Sequence, residues 1–166
     1  MGIVSVIDEM VSSSRVHAWA YTTAGEHGRP AKGVAIVACM DARINVESMF
    51  GLPTGDAHII RNAGGIVTDD VLRSLLISQR LLGTREILLL HHTDCGLMRL
   101  NDSQLVPQLE REAGSKLPFT LGAFTDLDED LRRSLALIRS FRFLVARNSV
   151  RAFVYHVSEA SLREVV

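Results

Sequence analysis

Apolar residues recur along this chain in two alternating rhythms. Val34-Ala35-Ile36-Val37-Ala38 is a short continuous apolar run, the mark of a strand buried on both faces of a parallel sheet. Ala57-His58-Ile59-Ile60, Glu86-Ile87-Leu88-Leu89-Leu90 and a last strand, Arg151-Ala152-Phe153-Val154-Tyr155-His156-Val157, repeat the theme. Helical spacings fall between them. Thr68-Asp69-Asp70 puts a cap and two acids ahead of a helix through Leu72, Leu75, Leu76 and Leu82, with Gly83 as its stop. Thr125 and Asp128 form a capping-box-like start for Leu131, Leu135 and Ile138, and Arg139 and Arg142 suit the negative end of that helix dipole. Residues 102–113 have helical spacing that Pro107 kinks or starts late. In residues 1–22, Ile3, Val4, Ile7, Met10 and Val11, then Val16, Trp19 and Ala20, predict a helix pair broken at Ser12-Ser13-Ser14. Gly25 to Gly33, with Gly28 and Pro30 inside, predicts a loop.

Strands alternating with helices predict an α/β fold: a single domain, 1–166, with a mostly parallel β-sheet flanked on both faces by helices. Residues 1–24 would form an N-terminal helical arm and residues 33–166 the core. In such sheets ligands sit beyond the carboxyl ends of the strands. At 166 residues the chain is large enough for one substantial core, and nothing in it repeats.

A net charge of −1 leaves no electrostatic footprint for nucleic acid or an anionic membrane, which argues against both partners. No apolar stretch approaches the roughly 20 residues that span a bilayer. Met1-Gly2-Ile3-Val4-Ser5 lacks the basic and long apolar regions of a signal peptide, so the expected location is cytoplasmic. In that reducing compartment a cysteine pair serves metal binding or catalysis better than a disulfide.

There are two cysteines, and each lies where a strand should leave the core. Cys39 ends the first apolar run; Cys95 closes His92-Thr93-Asp94-Cys95 after the third. Two thiolates and one imidazole fill three positions of a tetrahedral zinc, and an open fourth position is what makes such a site catalytic. Taken alone, a buried cysteine is a small hydrophobe, and Asp41 and Arg43 read as a surface ion pair. His91 and His92 compete for the imidazole position, since successive residues of a strand face opposite ways. Metal-free cysteine chemistry fails on spacing: six positions after Cys39 and Cys95 stand Asn45 and Asn101 rather than the arginine of a phosphatase loop, and no Cys-x-x-Cys occurs. His58 reads as a satisfied or half-exposed side chain, while His17, His27 and His156 have no partner pattern. Asn62-Ala63-Gly64-Gly65 reads as a turn that lets backbones approach closely.

Together these segments resemble the β-class carbonic anhydrases. Cys39-Met40-Asp41-Ala42-Arg43 matches that family's Cys-x-Asp-x-Arg, and His92-Thr93-Asp94-Cys95-Gly96 its His-x-x-Cys-Gly. Gly55-Asp56 with Arg61-Asn62-Ala63-Gly64 is similar to the segment between them. Length and the Arg-Asn-Ala-Gly-Gly run resemble the short bacterial and archaeal branch. The resemblance implies that Cys39, His92 and Cys95 hold one Zn2+ per chain, with His92 preferred over His91 by motif spacing. It implies that Asp41 and Arg43 form the catalytic pair, Arg43 keeping Asp41 ionised and in place. Asn62, Ala63, Gly64 and Gly96 are the candidate substrate-pocket residues, and His91 is the nearest candidate for a proton shuttle. The implied reaction is zinc-dependent reversible hydration of carbon dioxide to bicarbonate and a proton. Hydrolysis of carbon disulfide or carbonyl sulfide on the same site, or a non-catalytic zinc-binding role, are the alternatives. A homodimer or dimer-based tetramer is the implied assembly. Two departures stand out: the family commonly has glycine where this chain has His91, and Met49, Phe50 and Leu52 occupy the stretch where plant-type members carry a glutamine.

Overall fold

A computed structural model describes residues 5–20 and 28–166, with side chains described for 5–14 and 28–166. Five strands form one sheet: β1 (Val34–Cys39), β2 (Ala57–Asn62), β3 (Glu86–His92), β4 (Val150–His156) and β5 (Ser161–Val165). Their spatial order is β2-β1-β3-β4-β5. The first four run parallel, and β5 returns antiparallel on β4. β1 has neighbours on both edges, and Ala35 to Ala38 are buried, as the unbroken apolar run requires. β5 is an addition to the sequence expectation. Ser161-Leu162-Arg163-Glu164-Val165 buries only Val165, so its own pattern carries no strand signal. It is held by the ladder to β4 and by the Arg151 fork on Glu164, two hydrogen bonds of 2.7 Å each.

The helices are α1 (Val6–Ala20), α2 (Val46–Phe50), α3 (Asp69–Arg80), α4 (Asp102–Ala113) and α5 (Leu127–Ser140). α3 begins as expected, with Thr68 Oγ1 accepting from the Val71 N–H at 3.3 Å. α5 begins one residue later than the Thr125 pattern suggests, because Asp126 accepts from the Glu129 N–H at 2.9 Å and takes the cap itself. α4 runs unbroken through Pro107 from an Asn101 cap. α1 is one helix rather than a broken pair, since the hydroxyls of Ser12, Ser13 and Ser14 donate to the carbonyls of Asp8, Glu9 and Val11 and stay on the helix. α2 has no forerunner in the sequence pattern: a single short turn set by an Asn45 cap and a left-handed Gly51. Residues 1–4 and 21–27, and the side chains of 15–20, lie outside the described residues. The ends of the expected arm, much of the Gly25–Gly33 loop, His17, Trp19 and His27 fall there.

The two faces of the sheet are unequally covered. On one, Ala35, Val37 and Leu89 pack with Val71, Leu72 and Leu75 of α3 and Leu131, Leu135 and Ile138 of α5. On the other, Ile36, Ala38 and Leu90 pack with Ile44 and Val46, but Ile59, Leu88, Phe153 and Tyr155 stay only partly buried. A third, small cluster of Cys39, Cys95, Leu97 and Phe124 sits at the carboxyl end of the strands. His58 is fully partnered, Nδ1 with Ser78 Oγ at 2.8 Å and Nε2 with the Gly28 carbonyl at 2.9 Å, which agrees with its reading as a satisfied side chain.

Candidate metal centre

Register brings the site together. β1 pairs Cys39 with Asn62 of β2, and on its other edge Ala38 with Leu90, two residues before His92. The ends of three parallel strands therefore meet at one place. The backbone after β3 turns back at once: the Thr93 N–H donates to the Tyr155 carbonyl at 2.9 Å, the Val157 N–H donates to Thr93 Oγ1 at 3.0 Å, and Asp94 takes a left-handed φ of 58°. This turn returns Cys95 toward Cys39, leaving their sulfurs 4.0 Å apart.

The Sγ atoms of Cys39 and Cys95 and a ring nitrogen of His92 lie within 4.8 Å of one another, and all three residues are buried. A tetrahedral zinc with Zn–S bonds near 2.3 Å sets its sulfurs about 3.8 Å apart, close to the distance here. Within His92, Nδ1 donates to the Thr93 carbonyl at 2.9 Å, which leaves Nε2 as the lone-pair nitrogen. That Nε2 is buried and has no hydrogen-bond partner among the described residues. An orphaned buried acceptor costs about 1–3 kcal/mol, and a divalent cation satisfies it. Burial pushes the His92 imidazole toward its neutral form and lifts the Cys95 thiol above its ordinary range. A neutral imidazole is a ligand as it stands; a buried thiolate needs a compensating cation. The Asp41 N–H also points at Cys39 Sγ, at 3.4 Å. The donor set fits Zn2+.

Asp41 stands beside this cluster without joining it. Its Oδ1 accepts from the Arg43 backbone N–H at 2.9 Å and from Nε at 3.0 Å; Oδ2 accepts from Nη2 at 2.8 Å. These bonds hold the carboxyl well below the usual carboxylate range. Oδ2 is 3.8 Å from His92 Nε2, so an ionised acceptor faces the open side of the donor set.

Over the cluster lies a cavity of about 400 Å3, lined by Cys39, Met40, Asp41, Ala63, Gly64, Cys95, Gly96, Leu97 and Leu100. Three of the four candidate pocket residues line it. The fourth, Asn62, instead ties its own loop, Nδ2 donating to the Ile66 carbonyl at 2.8 Å. Gly65 explains the tight turn there: a Cβ would stand 2.8 Å from the Cys39 nitrogen, and φ is +69°. His91 faces away from the cavity. It is fully buried, its Nε2 2.9 Å from Asp130 Oδ2 and its ring stacked on Phe124 at 5.0 Å. That placement takes it out of the cavity over the donor cluster, so it does not line a path from there as a shuttle would.

Three residues at the site had no role assigned to them from the sequence. Arg61 clamps the loop after β1, donating to the carbonyls of Cys39 at 3.0 Å and Asp41 at 2.7 Å. Asp94 and Arg99 extend the ionic cluster around Arg43. Arg61 was legible only with the register, which sets it opposite Ala38.

The family model for carbonic anhydrase matches residues 34–160. Beta-carbonic anhydrase 1 of Mycobacterium tuberculosis is 50% identical over 136 residues, 82% of this chain and 83% of that protein. A carbon disulfide hydrolase of Saccharolobus solfataricus is 32% identical, over 78% of this chain and 75% of its own. The crystal structure of a carbonic anhydrase from Streptococcus mutans superposes with a TM-score of 0.90 at 38% identity, covering 99% of this chain and all of that one.

Proposed function

This chain belongs to the carbonic anhydrase family, of the β class, and from that premise we infer that it catalyses the reversible hydration of carbon dioxide to bicarbonate and a proton. One observation carries the reading: three buried donors converge while their remaining side faces a cavity and an ionised carboxylate. Bound zinc supplies Lewis acidity, bringing the pKa of water from about 15.7 toward about 7. Cys39, His92 and Cys95 hold that ion. Asp41 accepts the hydrogen bond that orients the nucleophile, and Arg43 keeps it ionised and aimed. Met40, Leu97 and Leu100 offer an apolar wall to a neutral, linear substrate, with Ala63, Gly64 and Gly96 giving close backbone approach. Because Arg43 binds the carboxylate through three N–H groups, Asp41 is drawn away from the donor cluster, which favours an open catalytic site over a closed zinc-storage one.

Residues 33–166 carry the catalytic core, and the N-terminal arm is helical over Val6–Ala20. The chain works in the cytoplasm, where a reducing environment keeps sulfurs 4.0 Å apart as free thiols available to a metal rather than as a disulfide. No described helix is long and apolar enough to cross a membrane. It assembles as a homodimer or a dimer-based tetramer, a proposal supported by the uncovered apolar faces of α1 and of the sheet.

Stopped-flow hydration of carbon dioxide, with metal analysis of the same sample, tests the reading. Turnover with one zinc per chain is expected, and hydrolysis of carbon disulfide or carbonyl sulfide without carbon dioxide hydration overturns it. Arg43→Ala and Asp41→Asn are each expected to keep zinc and to lose activity on the order of 10²–10³-fold. Near-normal hydration by either variant at full zinc occupancy returns the pair to an ordinary ion pair.

A further inference from the structure

Asp94 meets Arg43 twice. Its Oδ2 accepts from Arg43 Nη1 at 2.8 Å, and its backbone carbonyl accepts from Nη2 at 3.0 Å. Both contacts depend on the left-handed backbone at Asp94, one of two described non-glycine residues with positive φ. Its other carboxylate oxygen is taken by Arg99, which leaves two acids and two bases in one alternating row: Asp41, Arg43, Asp94, Arg99. The Arg43 guanidinium is planar and rigid, so fixing the edge that faces Asp94 also fixes the edge that faces Asp41. Asp94 directly precedes Cys95, so the same turn that delivers a sulfur to the donor cluster delivers the brace for Arg43.

Stability alone does not account for this arrangement. The Arg43, Asp94 and Arg99 side chains are 45%, 47% and 75% exposed, and exposed ion pairs add little to folding. A backbone φ of +58° is also met most easily by glycine. A residue that carries the backbone cost, spends its carboxylate on Arg43 and sits beside a metal ligand is placed to orient, not to hold the fold.

We propose that Asp94 is a positioning residue for the hydration reaction, acting through Arg43 to hold the Asp41 carboxylate aimed at the open side of the donor cluster. This rests on the metal-site reading given above. The Asp41–Arg43 pair is thereby the inner half of a three-residue unit, Asp41–Arg43–Asp94, closed by the cysteine turn.

Asp94→Gly separates the two roles, because it suits the left-handed backbone while deleting the carboxylate. Asp94→Asn keeps tolerance of that backbone and one acceptor for Arg43. With zinc bound, D94G is expected to match or exceed the wild-type melting temperature, to keep one metal per chain, and to lose kcat by roughly 10- to 100-fold with little change in KM. D94N recovers most of that loss. In an R43A background D94G adds no further loss, since its only route is through Arg43. The cobalt-substituted D94G protein shows an altered visible spectrum, because a loosened Asp41 changes the surroundings of the metal, while cobalt D94N resembles wild type. Wild-type kcat and spectrum in D94G, or full additivity with R43A, overturns the assignment by itself. A wild-type protein that takes up no cobalt overturns the metal-site reading, and this assignment with it.

Discussion

His91 and His92 are neighbours in the chain and opposites in chemistry. His92 ends with an unpartnered Nε2 at the donor cluster; His91 turns inward to Asp130 and Phe124. Burial pushes the Asp130 carboxyl up, but the bonds from His91 and Arg133 outweigh it and hold Asp130 below its ordinary range. His91→Ala removes a fully buried ring and a partner of that acid, and is expected to cost about 2–4 kcal/mol while keeping zinc. His92→Ala and Cys95→Ser are each expected to lose most of the metal and all activity. Metal analysis beside denaturant titration separates these outcomes; an empty site in His91→Ala with a filled one in His92→Ala reverses the assignment. Gly65 is the second sensitive position. Gly65→Ala presses a methyl against the backbone of Ala38 and Cys39 at positive φ, and is expected to cost about 2–5 kcal/mol with reduced zinc occupancy, read by thermal melting.

Among the elements, α5 is the one that ties the far edge of the sheet to the site. Its first turn carries Asp128, bonded at 2.6 and 3.0 Å to Arg163 of β5, and Asp130, bonded to His91 at the end of β3. The Arg163 bonds hold the Asp128 carboxyl below the ordinary carboxylate range. Asp128 therefore adds stability above the ordinary carboxylate range, and that share is lost as pH falls through its lower folded-state value. Since the pair is partly solvated, the share is only about 0.5–1 kcal/mol. Arg163→Met is expected to be less stable than wild type at pH 7, with a smaller gap at a second, acidic pH below the ordinary carboxylate range, as Asp128 takes up its proton. Urea titrations of both proteins at the two pH values check the sign; a gap that widens in acid contradicts it. The same short pairing explains why a polar segment such as β5 forms a strand at all.

At the scale of the whole molecule, the single chain leaves apolar surface without a place to go. Every described side chain of α1, from Val6 to Ser14, is exposed, including Val6, Ile7, Met10 and Val11. A helix of 15 residues is marginal in water without a packing partner. The partly buried Ile59, Leu88, Phe153 and Tyr155 on the thinly covered sheet face add to the deficit. A dimer or a multiple of it is expected by sedimentation at micromolar concentration. The double substitution Ile7→Glu with Met10→Glu is expected to shift the population toward monomer and lower the melting temperature. A stable, active wild-type monomer contradicts this assembly.

The sequence by itself determines much here because the relevant signals are local. The unbroken apolar run of β1, the acids and cap of α3 and the periodicity of α5 each follow from neighbours within a few residues. So does the placing of both cysteines where strands end, which by residue type alone points to a thiolate-and-imidazole site. Contacts between distant segments were decided only by the tertiary structure. Periodicity sets His91 and His92 on opposite faces, and motif resemblance prefers His92; only the packing of α5 shows what His91 does instead. Arg61 reaches Cys39 because of strand register, Asp94 reaches Arg43 because of one left-handed residue, and β5 exists because β4 and α5 supply its partners. A sequence pattern records what each segment buries; which segments meet is settled by register, turn geometry and charge pairing, none of which is local.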